Sequence, residues 1–205
     1  MIRNIGTKKI EKIIEFRNTC ERVEKLHGVV NHKIFDKSDF NWILDEFEIT
    51  GRIFGGNYFS TPNPFLVHVD TGKEEDLRGK SSLYNIVVPL SQQDDFNTVI
   101  FNQKFYGEAT HFYIGSMYNY FPKPLYNHVE RSYNNVQGLE TSSMDIKTYK
   151  KYLSHLPYET VEHLSIKEIV PWKIGQAFVF ESQFLHSSCN FNGIKEGLTL
   201  LVSDV

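Results

Sequence analysis

From about residue 50 the apolar residues of this chain recur at every second position, in short runs broken by Gly, Pro, Asn and Asp. Successive side chains of a β-strand point to opposite faces, so such runs suit sheets with one buried face. FEITGRIFGGNYFS reads as a strand pair, PFLVHVDTG as a short apolar strand ending in a turn, and SSLYNIVVPLS and NTVIFNQKFYG as strands. The style returns in IVPWKIGQAFVFESQFLH and, after a turn at NFNG, in GLTLLVSDV. Many short strands with turns between them predict a mainly β protein, a jelly-roll or barrel rather than a parallel α/β sheet. The 16 Phe and 11 Tyr among 205 residues fit a β-rich core or an aromatic-lined cavity.

Two stretches break this pattern. Residues 8–27 place Ile10, Ile13, Ile14, Phe16, Cys20, Val23 and Leu26 at near-helical spacing, with Gly28 as a stop. An amphipathic helix packed on the domain's own sheet is expected there. Residues 107–165, rich in Tyr, Asn, His and Ser, separate the two β blocks. A helix is expected near SSMDIKTYKKYLSHL, capped by Ser142 or Ser143 and ended by Pro157. The chain reads as one domain over 1–205, with a helical extension at 1–28 and an insertion at 107–165 that suits a lid, a binding loop or an oligomer contact. Oligomeric state stays open.

A net charge of −3 gives no reason to expect nucleic acid or an anionic membrane as partner. Two cysteines, Cys20 and Cys189, make no disulfide framework, and no apolar run approaches the roughly 18 residues of a membrane helix. A cytoplasmic protein is the expectation.

The chemistry-bearing residues lie on the strands. In His68-Val69-Asp70 the imidazole and the carboxylate share a strand face. His186 follows the apolar strand Gln176–Phe180 and a short loop. Two His and one carboxylate on one face can hold a metal with three positions left open, the donor set typical of non-haem Fe(II). The 116 residues between Asp70 and His186 are no obstacle where distant strands face one lumen. Lys195, nine residues past His186, could pair with a carboxylate held in that lumen. Glu108 and His111 form a rival ligand pair where the strand pattern dissolves.

His68-x-Asp70, the Gly175–Phe180 strand, His186 and a basic residue before a last apolar strand resemble the 2-oxoglutarate- and Fe(II)-dependent oxygenase superfamily, over roughly 50–105 and 168–205. The lysine, where most members have arginine, is similar to prolyl-4-hydroxylase-like members. The resemblance implies a double-stranded β-helix core. It implies that His68, Asp70 and His186 bind Fe(II) and that Lys195 anchors the distal carboxylate of 2-oxoglutarate. Tyr84, then Asn85, then Thr199 are the expected hydrogen-bonding partners of that cosubstrate. The implied reaction uses dioxygen, yields succinate and CO2, and hydroxylates a C–H bond of a small molecule or peptidyl residue. His111, His128 and Arg131, with Tyr133, Asn134 and Asn135, are candidate substrate contacts. Two alternatives stay open: a cupin-like metalloenzyme without 2-oxoglutarate, and a non-catalytic jelly-roll binding module.

Overall fold

The alternating runs form fourteen strands among the described residues, which are 1–24, 30–33, 37–70, 84–105, 111–112, 129–130 and 133–203 of a computed structural model. In chain order the elements are β1 (Ile2–Asn4), α1 (Thr7–Thr19), β2 (Glu21–Glu24), β3 (Val30–Lys33), α2 (Trp42–Phe47), β4 (Arg52–Thr61), β5 (Val67–His68), β6 (Tyr84–Pro89) and β7 (Asn97–Phe105). There follow β8 (His111–Phe112), β9 (Val129–Glu130), β10 (Val136–Gln137), α3 (Ile146–Tyr152), α4 (Tyr158–Val161), β11 (Ile166–Pro171), β12 (Gln176–Glu181), β13 (Phe184–Ser188) and β14 (Lys195–Ser203). One sheet runs β1-β12-β6-β14-β4-β3-β2; the other runs β10-β7-β13-β5-β8-β9, with β11 also on β7. Nearly every pairing is antiparallel, β8 with β9 being the parallel one.

Alternation sorts the side chains into layers. On the first sheet Ile86, Val88, Leu198, Leu200 and Val202 pack with Ile10 and Ile13 of α1 and with α2. Their strand neighbours Val87, Phe178 and Phe180 join Ile100, Phe184, Trp172 and Phe191 between the sheets. On the second sheet Val67, Val69, Val99, Phe101 and Leu185 pack with Met144, Leu153, Leu156 and Val161 of the segment beyond residue 133. The order is therefore helix, sheet, lumen, sheet, helical segment, each interface buried by one strand face. This is the mainly β, jelly-roll architecture expected, with a helix ahead of it.

Gly197 marks the closest approach in the lumen. A Cβ built there would lie 2.7 Å from Phe59 Cζ and 2.7 Å from Trp172 Cζ2. Both rings are packed on neighbours, so neither has an easy way out. Gly197→Ala is expected to cost about 1–3 kcal/mol. Urea unfolding measures it; an unchanged midpoint would show that the rings yield freely.

Several local expectations are corrected. FEITGRIFGGNYFS forms one long strand, β4, rather than a pair, because β14 offers it a ladder from Arg52 to Thr61 that outweighs the turn preference of Gly55-Gly56. α1 ends at Thr19 instead of near residue 27; Cys20 turns extended and Glu21–Glu24 pairs with β3. Asp145, not Ser142 or Ser143, caps α3: its carboxylate accepts the Thr148 N–H at 2.9 Å. Pro157 opens α4 instead of ending a helix. Within the predicted insertion, 133–165 packs on the outer face of the second sheet, while His111–Phe112 and Val129–Glu130 extend that sheet beyond β5. Gly28 and residues 113–128 lie outside the described residues. No described helix is long and apolar enough to cross a membrane.

Candidate metal centre

The antiparallel register of β5 and β13 sets His186 directly opposite His68. With Val67 and Val69 turned into the outer core, His68 and Asp70 face the lumen. The Asp70 N–H donates to the Ser182 carbonyl at 3.3 Å, which ties the residue to the β12–β13 turn. The ligand atoms of His68, Asp70 and His186 all lie within 4.8 Å of one another, and the two imidazole centroids are 4.1 Å apart. His186 is buried, at 5% exposure, while His68 and Asp70 are half-buried.

Both imidazoles are oriented by the same device. His68 Nδ1–H donates to the Leu66 carbonyl at 2.6 Å, and His186 Nδ1–H donates to the Phe184 carbonyl at 3.1 Å. Each bond goes two residues back along the strand and leaves Nε2 as the lone-pair nitrogen. His186 Nε2 then lies 3.1 Å from Asp70 Oδ2. A proton on Nε2 makes this contact an imidazolium–carboxylate ion pair, and a cation between the two atoms would be ligated by both. The edge of the Phe180 ring closes the site 4.7 Å from the His186 centroid, and Phe65 lies 5.8 Å from His68.

Asn85 is the nearest polar neighbour. It is buried at 1% exposure, and its Nδ2–H donates to Asp70 Oδ2 in a short bond. Its Oδ1 is buried with no hydrogen-bond partner. Tyr84 is corrected: alternation turns it to the far face of β6, where it packs against the α1 and α2 core. Thr199 lies on the same face of β14 as Lys195 and Gly197, half-buried.

Lys195 begins β14 and is 1% exposed. Its ammonium donates to the Asn97 carbonyl at 2.8 Å and lies 4.1 Å from the Trp172 ring centroid and 5.7 Å from that of Phe191. Burial pushes its pKa down to about 7. Among the described residues one carbonyl serves its three donors, which leaves a buried cation short of acceptors. A row of rings leads from it to the strand of His186: Trp172 to Phe178 at 5.8 Å, Phe178 to Phe180 at 6.2 Å, then His186.

The register sets His111 of β8 opposite His68. His128, Arg131 and Glu108 lie outside the described residues. Tyr133 belongs to the 133–165 layer, where its hydroxyl donates to the carbonyls of Glu159 and Thr160 at 2.7 and 2.9 Å; Asn135 takes a turn conformation with φ of 65°. Sequence reasoning passed over Trp172 as a wall for the lysine and His155 and Asn190 behind β13. Trp172 lay inside a quoted strand motif, whereas nothing in the sequence distinguishes His155 from a surface histidine.

No family model and no curated protein matches this sequence. Solved structures do resemble it. A prolyl-4-hydroxylase from Pseudomonas putida is 10% identical over 100% of this chain and 92% of its own, with a TM-score of 0.52. An oxidoreductase of the 2OG-Fe(II) oxygenase family from Burkholderia pseudomallei is 10% identical, covering 96% and 78%, with a TM-score of 0.49. HygX from Streptomyces hygroscopicus, with nickel, 2-oxoglutarate and hygromycin B bound, is 12% identical, covering 100% and 82%, with a TM-score of 0.49. At 10% identity the likeness to the prolyl-4-hydroxylase is one of fold, and that fold is the double-stranded β-helix expected from the sequence.

Proposed function

We propose that this protein is an Fe(II)- and 2-oxoglutarate-dependent oxygenase that hydroxylates a C–H bond of a small molecule or peptidyl residue. The observation that carries the reading is the meeting of two imidazoles and one carboxylate in the lumen, with the ligand atoms of His68, Asp70 and His186 all within 4.8 Å of one another. Neutral imidazoles and one carboxylate suit a divalent first-row metal and leave positions open. The shared fold with a prolyl-4-hydroxylase is consistent with it.

His68, Asp70 and His186 would hold the metal, with the Leu66 and Phe184 carbonyls fixing the tautomers. Asn85 steadies the carboxylate through its Nδ2–H. Lys195 would take the distal carboxylate of 2-oxoglutarate, the acceptor its ammonium lacks. Iron with 2-oxoglutarate and dioxygen supplies the oxidising power, with succinate and CO2 as coproducts. Phe180, Phe178 and Trp172 keep water out of the lumen.

Anaerobic Fe(II) titration tests the reading. A visible absorption that needs both iron and 2-oxoglutarate is expected. Iron binding with no response to 2-oxoglutarate would favour the cupin-like alternative, and no iron binding the non-catalytic one.

The lysine adds a pH signature. Only the charged ammonium pairs with a carboxylate, and its pKa before binding is about 7. Affinity for 2-oxoglutarate should be flat below that pH and fall by up to about tenfold per unit above it. Calorimetry with a redox-inert divalent metal measures this, and a pH-independent Kd from 6 to 9 would remove Lys195 from the role.

A further inference from the structure

A second polar cluster lies behind the metal strands. His155, three residues beyond α3, places Nδ1 2.7 Å from Asn190 Oδ1. Its Nε2 lies 3.2 Å from the Phe65 carbonyl oxygen and 3.5 Å from Ser187 Oγ. The Asn190 amide is fixed in orientation. Its Oδ1 also accepts the His155 backbone N–H at 3.0 Å, and its Nδ2 donates to Ser154 Oγ at 2.7 Å. Nδ1 of His155 is therefore a donor, and because Nε2 faces the Phe65 carbonyl oxygen, the ring ties both acceptors together as the doubly protonated imidazolium.

The other side of the ring meets both metal strands at one point. Ser187, the residue after ligand His186, donates to the Phe65 carbonyl at 2.8 Å. Phe65 immediately precedes Leu66, whose carbonyl holds His68 Nδ1, and the Phe65 ring flanks the His68 ring. His155 and Ser187 thus converge on one carbonyl that leads into the first ligand strand, from a hydroxyl that follows the second ligand.

We infer that His155 is a positioning residue for the metal centre: through the Phe65 carbonyl and Ser187 it sets the spacing of the strands that carry His68 and His186. This rests on the proposed metal triad but not on 2-oxoglutarate. It gives the 133–165 layer a role beyond covering the second sheet. The alternative is a plain structural tie, in which the Asn190 bond alone matters because it fastens the end of the helical segment to the β13–β14 connection.

Conservative variants separate the two. A glutamine amide reaches the place of Nε2 and keeps the link to Phe65; an asparagine amide mimics Nδ1 and keeps only the link to Asn190. The readout is Co(II) affinity and its d–d spectrum on the full chain, with thermal unfolding in parallel. His155→Leu and His155→Asn should weaken cobalt binding by about 10–100-fold. His155→Gln should stay within about threefold of wild type. Equal affinity of the Asn and Gln variants, or wild-type affinity in His155→Leu, overturns the inference. If His155→Leu does not fold, the Asn–Gln pair still decides. Wild-type protein that binds no cobalt overturns the metal reading and this inference with it, whereas wild-type binding with insensitive variants overturns this inference alone.

Discussion

Lys195→Met should make the metal-free protein more stable while abolishing its binding of 2-oxoglutarate. The wild-type ammonium is almost fully buried among Trp172, Phe191 and the Asn97 carbonyl. No described carboxylate forms an ion pair with it. A methionine of similar length keeps the packing and removes the charge, a change expected to add about 1–3 kcal/mol. The Asn97 carbonyl keeps a donor, because the Cys189 N–H reaches it at 3.2 Å.

The sign of the pH dependence follows from the direction of the shift. The native lysine has its pKa lowered from 10.5 to about 7. Between those values the unfolded chain holds a proton that the native state has shed, so this group adds stability as pH rises. The Met variant lacks that slope. Its advantage should be greatest near pH 7 and shrink towards pH 10. Urea unfolding across this range, with 2-oxoglutarate titrated into metal-loaded protein, checks both halves. A variant less stable than wild type at pH 7, or one that still binds 2-oxoglutarate normally, would show that the lysine is structural.

The cluster of His68, Asp70 and His186 was legible because its geometry follows from strand rules. An i, i+2 pair shares a face whatever the rest of the fold does, and His186 needed only a cross-strand place opposite His68. Tyr84 and Asn85 show where such rules stop. Alternation says that adjacent residues face opposite ways, but not which face is the lumen. β6 is apolar on both faces, with Ile86 and Val88 on one and Val87 on the other, so the pattern was symmetric until α1 and α2 were placed. β4 fails for a different reason: Gly55-Gly56 carries a local turn signal that a long partner strand overrides. His155 was invisible because its role depends on a backbone carbonyl 90 residues away in sequence.

Asp70→Asn should weaken metal binding by two orders of magnitude or more and leave the metal-free fold intact. Asp70 Oδ2 faces the lone pair of His186 Nε2 at 3.1 Å while also accepting the Asn85 Nδ2–H. With a metal bound, both atoms share a cation; without one, a proton on Nε2 makes the His186 contact an ion pair. The introduced amide can turn an N–H towards His186 Nε2. The isosteric change thus replaces an ion pair by a neutral hydrogen bond of the same shape, which alters the metal-free state by no more than about 1 kcal/mol. The amide is a weak, neutral ligand, so the metal loses its one anionic donor. Anaerobic Fe(II) or Mn(II) titration with parallel thermal unfolding reads both effects. Affinity within about threefold of wild type would place the metal elsewhere. Lost affinity with a large fall in melting temperature would mean that the carboxylate serves the fold rather than the ion.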